Sequence, residues 1–283
     1  MEDRPLKMKN INNLFDLSEK VIVITGGAGL LGFNHAEAIL ESGGHPIIID
    51  INKSELDNVV HKLNARHSGS FSAYNVDITN EDEVVKLSKK IKKNHKKLDG
   101  LVNNAAINPK VEEGKENFSR MENFQIDQWN NEIKVGLTGS FICSKNLGYL
   151  ISKNPNGGTI VNISSDLGLI APNQGLYKIN GRSLNEQPVK PITYSVIKAG
   201  IIGLTRYIAT YWPNLNVRCN AICPGGIKDN QSEEFLKKIS DLIPMGRLAN
   251  QDEYKGALIW LLSDASSYLN GAIIPIDGGR TVW

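Results

Sequence analysis

A chain of 283 residues, 41% hydrophobic and 22% charged, can bury a sizeable core, and its net charge of +2 gives no nucleic-acid footprint and no disordered tail. Its longest apolar runs, such as "VIVI" and "PIII", have strand length and fall short of the ~20 residues that a membrane span needs, so neither nucleic acid nor membrane is an expected partner. The opening "MEDRPLKMKNINNLF" lacks the apolar stretch of a secretory signal, so residues 1–17 read as a polar arm and the chain as cytoplasmic.

From residue 18 to 283 short β-rich runs alternate with helical patterns. The strands are expected at 20–26, 45–50, 70–77, 98–105, 158–165, 216–225 and 271–279, several of them apolar throughout, as parallel strands covered on both faces are. The helices are expected near 33–42, 53–66, 80–96, 126–152, 193–211 and 251–262. This alternation predicts a single-domain, Rossmann-like, doubly wound parallel sheet of seven strands with helices on both faces. In such a sheet ligands sit beyond the carboxyl ends of the strands. Three long connections, 106–125, 166–192 and 226–250, each begin where a strand ends and are expected to frame a substrate at that edge. The lysine-rich "KLSKKIKKNHKK" at 86–97 reads as a solvated helix face. Cys143, Cys219 and Cys223 read as buried thiols, and the five histidines have no ligand-like spacing, so no metal is expected.

"TGGAGLLG" at 25–32 follows the first strand and opens a helix. Gly26, Gly29 and Gly32, spaced by three, suit a tight turn, close backbone approach to a pyrophosphate and close helix–sheet packing. The helix N-terminus then offers free N–H groups to phosphate. Asp50, ending "IIID", lies 24 residues beyond Gly26, where a carboxylate accepts ribose hydroxyls and repels a 2′-phosphate; Lys53 is the only basic residue close by. NAD is therefore expected ahead of NADP. Asp77 is placed to meet the adenine edge, and Asn103 to support the cradle from the fourth strand.

With these residues assembled, the chain resembles the short-chain dehydrogenase/reductase family. The pieces that carry the likeness are the glycine loop, "DI" at 77–78, "NNAA" at 103–106, "NISS" at 162–165, "YSVIK" at 194–198, "NAICPGG" at 220–226 and the tail "LLSDASSYLNGAIIPIDGG". The resemblance implies that Ser165, Tyr194 and Lys198 are catalytic. It also implies a cofactor site of Gly26, Gly29, Leu30, Gly32, Asp50, Asp77, Ile78, Asn103, Ala105, Tyr194, Lys198, Pro224, Gly225 and Ile227. A lysine ammonium one turn from a phenol, with a positive nicotinamide ring, lowers a tyrosine pKa from its usual ~10. Tyr177 competes for the role but has no lysine four residues on, and Tyr194 is preferred at the cost of a 29-residue gap after Ser165.

The chain departs from the family at three points. Gly136 stands in "VGLTG" where the family has an asparagine whose main-chain carbonyl holds a water; with Gly139 it puts two glycines in one helix, which a bulge or close packing would explain. Leu30 occupies a usual glycine position in the cradle. Asp229 replaces the usual threonine after "PGG". The long loops carry Lys110, Glu112, Glu113, Lys115, Glu116 and Arg120, then Lys178, Arg182, Asn185 and Lys190, a polar mouth that suits a hydroxylated or anionic small molecule. The insert before "YSVIK" is similar to that of bacterial flagellin-modification oxidoreductases of legionaminic-type surface-sugar biosynthesis. Two alternatives stay open: a nucleotide-sugar epimerase or dehydratase that retains its NAD, and a non-catalytic, cofactor-binding regulatory protein. The resemblance further implies a homo-oligomer, dimer or tetramer, joined through the long middle helices and the final strand region.

Overall fold

The computed structural model describes residues 10–108 and 119–283. Strands β1 (Val21–Thr25), β2 (His45–Asp50), β3 (Ser72–Asn75), β4 (Gly100–Asn103), β5 (Gly158–Ile163), β6 (Val217–Pro224) and β7 (Ile273–Ile276) form one parallel sheet in the order β3-β2-β1-β4-β5-β6-β7. The sequence expectation of a seven-stranded, doubly wound parallel sheet holds. The strand order turns back between β1 and β4, and a crevice opens beyond their carboxyl ends.

Alternating side chains commit each strand to two cores. Val21, Val23, Ile47 and Ile49 pack on one face with Leu147 and Ile151, while Ile22, Ile24 and Ile48 pack on the other with Ile39, Leu258 and Leu262. Each fully buried side chain of this size contributes about 1.5–3 kcal/mol, so the sheet is held firmly from both sides. Cys143, Cys219 and Cys223 are free, buried thiols within these layers, as expected. No helix among the described residues is long and apolar enough to cross a membrane.

Besides one short helical turn at Ile11–Leu14, the α-helices of the described residues are α1 (Leu30–Glu41), α2 (Lys53–Arg66), α3 (Glu81–His95), α4 (Ile126–Ile133), α5 (Gly139–Ile151), α6 (Ile192–Tyr211), α7 (Glu233–Ser240) and α8 (Lys255–Leu262). Caps set several of their starts: the Asn52 side chain accepts from Glu55 N–H and the Asn80 side chain from Asp82 N–H. In contrast, α1 starts at Gly29 with no side-chain cap, which leaves its first N–H groups without a side-chain acceptor just after β1.

Two differences from the sequence reading have physical causes. The expected helix at 251–262 begins only at Lys255, because residues 251–254 close as i→i+3 turns, Glu253 N–H donating to the Asn250 carbonyl at 3.3 Å and Lys255 N–H to that of Asp252 at 3.0 Å. The long helix at 126–152 is continuous but carries a π-helical turn at Lys134–Thr138, between α4 and α5. A Cβ on Gly136 would stand 2.7 Å from Ile197 Cγ2, and one on Gly139 2.7 Å from Ile78 Cδ1. Both a bulge and close packing thus account for the two glycines.

Candidate active site

The glycine loop is shaped by what it lacks. Gly26 has φ +60°, and a Cβ there would lie 2.7 Å from Ala105 Cα; a Cβ on Gly32 would lie 2.2 Å from the Gly26 carbonyl oxygen. No other residue fits these two points without moving backbone. Leu30, at the departure from the usual spacing, is the first residue of α1 and is partly exposed at the rim.

Asp50 fastens the loop to β2. Its Oδ2 accepts from Ala28 N–H at 3.0 Å and its Oδ1 from Asn52 N–H at 2.9 Å. Lys53, the nearby cation, pairs instead with Asp57 on the exposed face of α2. From β4, the Asn104 amide donates to the carbonyls of Thr25 and Gly26, both at 3.0 Å, and Thr25 Oγ1 accepts from Asn104 and Ala105 N–H groups. Asn103, its neighbour, is buried and turned the other way, donating to Ser144 Oγ at 2.9 Å and Asn162 Oδ1 at 2.8 Å. Asn104 therefore makes the side-chain contact to the cradle that the sequence reading gave to Asn103. Asp77 accepts from Thr79 N–H at 2.8 Å at the end of the β3 connection, and Ile78 is buried against Gly139. Pro224 ends β6, Gly225 N–H reaches the Ile276 carbonyl at 3.0 Å, and Ile227 bridges to Ala249 to close the base of the third loop.

Ser165 follows β5, and Tyr194 and Lys198 lie one turn apart on α6, so the sheet edge brings the three together. The Ser165 hydroxyl lies beside the Tyr194 phenol, donates to Asp166 Oδ1 at 2.7 Å and accepts from Leu167 N–H at 3.2 Å. Lys198 is buried, its Nζ donating to the Ile163 carbonyl at 2.8 Å and standing 5.7 Å from the Tyr194 ring centre. Burial pulls the Lys198 ammonium down to about 8, with Lys190 adding to the fall and Cys223 opposing it. In the polypeptide by itself Tyr194 does not show the lowered pKa expected of it: burial pushes it up, the nearby Ser165 hydroxyl opposes this, and Asp166 adds to the rise. Lowering the phenol is left to the positive charge of a bound nicotinamide.

The 29-residue gap between Ser165 and Tyr194 is a cross-braced unit of short turns at Asp166–Gly168, Gln174–Tyr177 and Leu184–Glu186. The buried Gln187 amide accepts from Ile179 N–H at 2.7 Å and donates to the Ile179 and Arg182 carbonyls. Arg120 ties the first loop to this unit through the carbonyls of Leu184 and Gln187, which makes it a strut. Tyr177 stays in the pocket wall, its ring 5.9 Å from Phe235 on α7 and its phenol pushed up to about 12, mainly by burial. Lys178 and Asn185 are exposed. Lys110, Glu112, Glu113, Lys115 and Glu116 lie outside the described residues.

One site residue escaped the sequence reading, and another was named there only as part of the polar mouth. Asp166, buried beside Ser165, could have been noticed as an acid directly after "NISS". Lys190 stands with its Nζ 4.2 Å from the Tyr194 ring centre; its position four residues before the tyrosine, mirroring Lys198 four after, was the available signal.

The family model described as enoyl-(acyl carrier protein) reductase matches residues 27–281. The chain belongs to the short-chain dehydrogenase/reductase family. It is 28% identical to an NAD-dependent glycerol dehydrogenase of Listeria innocua, over 98% of this chain and 100% of that one. It is 30% identical to an NADP-dependent mannitol dehydrogenase of Hypocrea jecorina, over 95% of each chain. A solved short-chain dehydrogenase from Leptospira borgpetersenii, with bound NAD+, superposes at a TM-score of 0.81 with 28% identity over 99% of both chains. As a short-chain dehydrogenase/reductase, the protein is an oxidoreductase of CH–OH groups that uses a nicotinamide cofactor. The uncapped start of α1 and the space kept by Gly26 and Gly32 fit such a dinucleotide.

Proposed function

We propose that this short-chain dehydrogenase/reductase is an NAD-dependent oxidoreductase interconverting an alcohol and a carbonyl on a sugar-derived or other polyhydroxylated small molecule. The observation that carries the reading is the convergence of Ser165, Tyr194 and Lys198 at one sheet edge, next to a cradle fastened by Asp50. The bound nicotinamide supplies the hydride acceptor or donor. Tyr194 Oη takes the proton from the substrate alcohol or returns it to the carbonyl, and Ser165 Oγ holds the reacting oxygen. Lys198 keeps positive charge beneath the phenol from a fixed seat on the Ile163 carbonyl. The Gly136 carbonyl, where the family holds a water, accepts from Ser140 Oγ at 2.9 Å.

Asp50 supports NAD over NADP, since its carboxylate occupies the end of β2 and the one cation near it is paired elsewhere. The Listeria relative is NAD-dependent and the Hypocrea relative NADP-dependent, and Asp50 supports the first of these for this chain. The names glycerol and mannitol dehydrogenase support a polyol, and the insert's likeness to flagellin-modification enzymes supports a surface-sugar pathway. The same reading makes residues 18–283 one catalytic unit in the cytoplasm. It makes the protein a homo-oligomer joined through α5 and α6, where Phe141, Tyr149, Tyr207 and Tyr211 are exposed.

The test is NADH formation with a panel of sugar, polyol and sugar-phosphate alcohols, with Tyr194→Phe as control. Turnover falling about 10²–10⁴-fold in the variant is the expected result. Purified protein that retains NAD and never releases NADH would overturn the reading in favour of an epimerase or dehydratase.

A further inference from the structure

The mechanism above uses one of the two lysines that flank Tyr194 and leaves the other without a task. Lys190 lies at the end of the long insert, four residues before the tyrosine. Its backbone is fixed, the N–H donating to Gln174 Oε1 at 2.8 Å, while the neighbouring Val189 N–H donates to Ser119 Oγ at 3.2 Å. Its Nζ donates to Asn108 Oδ1 at 2.7 Å and stands over the Tyr194 ring. An ammonium has three donors, so this arrangement leaves capacity for at least one more acceptor.

The acids that face Lys190 among the described residues are bonded elsewhere. Asp166 Oδ1 accepts from Ser165 Oγ at 2.7 Å and Leu167 N–H at 2.8 Å. Glu132 accepts from Gln128 Nε2 at 2.9 Å and from the Thr193 hydroxyl. Among the described residues no carboxylate lies within ion-pairing distance of Lys190. A half-buried cation with no acid partner among the described residues is costly, and burial pulls this ammonium down to about 8, against the attraction of Asp166 and Glu132. A negative oxygen group would relieve that cost, and a group held there sits next to the phenol that handles the reacting hydroxyl.

We propose that Lys190, steadied by Asn108, is a specificity-determining residue that receives an anionic oxygen group, carboxylate or phosphate, carried by the polyhydroxylated substrate. The proposal rests on the alcohol-oxidising reading and narrows its substrate class from neutral polyols to polyol acids or polyol phosphates. An ammonium-to-anion hydrogen bond in a partly desolvated site is worth about 10- to 100-fold in affinity.

The experiment compares sorbitol, gluconate and sorbitol 6-phosphate as substrates with NAD, using the full chain, Lys190→Met and Lys190→Arg. In the wild type kcat/KM should favour one of the two anionic members over sorbitol by ten-fold or more, which also tells carboxylate from phosphate. Lys190→Met should erase that preference through KM, and Lys190→Arg should restore part of it. Equal losses on sorbitol and on the anions in Lys190→Met would overturn the proposal, because Lys190 would then act on Tyr194 or on folding. Absence of turnover with all three would count against the alcohol-oxidising reading. In that event, binding of gluconate and sorbitol 6-phosphate to the NADH complex is followed by nicotinamide fluorescence. Saturable binding that Lys190→Met weakens ten-fold or more keeps the proposal, and no binding to the wild type ends it.

Discussion

Asp50 Oδ2 accepts the Ala28 backbone N–H at 3.0 Å, so the residue proposed to receive the cofactor's ribose is also the residue that holds the glycine loop against β2. Recognition and loop geometry are thus one interaction seen from two sides. Replacing Asp50 with alanine removes both. The expected outcome is a KM for NAD raised by about 10- to 100-fold, with the kcat/KM ratio of NADP to NAD moving toward NADP. Steady-state kinetics with the two cofactors check this. An unchanged ratio would show that Asp50 only braces the loop.

Lys198 carries a conflict between stability and function. Its ammonium is buried and its pKa stands at about 8, against 10.5 for an ordinary lysine. Between these values the unfolded chain holds a proton that the fold rejects, so wild-type stability rises with pH from about 8 to 10.5, and below that window burial of the charge costs roughly 3 kcal/mol. Lys198→Met should therefore abolish turnover and yet raise the unfolding midpoint at pH 7. The gain should shrink as pH climbs from 8 to 10, which thermal melts at stepped pH values measure.

His35 supplies an acid-sensitive element away from the site. It is 1% exposed on α1, its Nδ1 has no hydrogen-bond partner among the described residues, and burial holds its pKa near 4 against 6.5. Between those values the unfolded state binds the extra proton, so stability is lost as pH falls from 6.5 to 4, by roughly 3 kcal/mol in full. Glu37 acts lower, between 4.5 and about 2; burial opposes the shift, but hydrogen bonds from Lys255, Arg66 and His67 prevail. His35→Gln should flatten the upper part of the urea-midpoint profile and leave the lower part in place.

Gly136 is packed against the helix that bears the tyrosine and lysine. Gly136→Ala puts a methyl 2.7 Å from Ile197 Cγ2 and should cost about 1–3 kcal/mol. Ile197→Ala removes that atom, so the double variant should be more stable than the sum of the two single losses allows. Denaturant unfolding of the four proteins closes this cycle. Strict additivity would mean the two residues do not share the space.

Much of this was legible in the residues. β2 and α2 fall where expected to the residue, because an apolar run ends at Asp50 and Asn52 then caps the next helix. The grouping of Ser165, Tyr194 and Lys198 was implied by the family resemblance, and the residues alone offered only the one-turn spacing of the last two. Helix α7 was not anticipated inside a polar connection, although Ser232 followed by Glu233 and Glu234 carries a cap and an acidic first turn. The π-helical turn at Lys134–Thr138 had only its two glycines as a trace. The direction of the Tyr194 shift was beyond reach, since it depends on burial by loops whose path no local pattern encodes.

The insert braced by Gln187 has an evolutionary meaning. Its internal amide bonds hold its own backbone, so its added length leaves the sheet and the tyrosine helix undisturbed. A segment organised in this way can change in sequence without requiring the redox machinery beneath it to change.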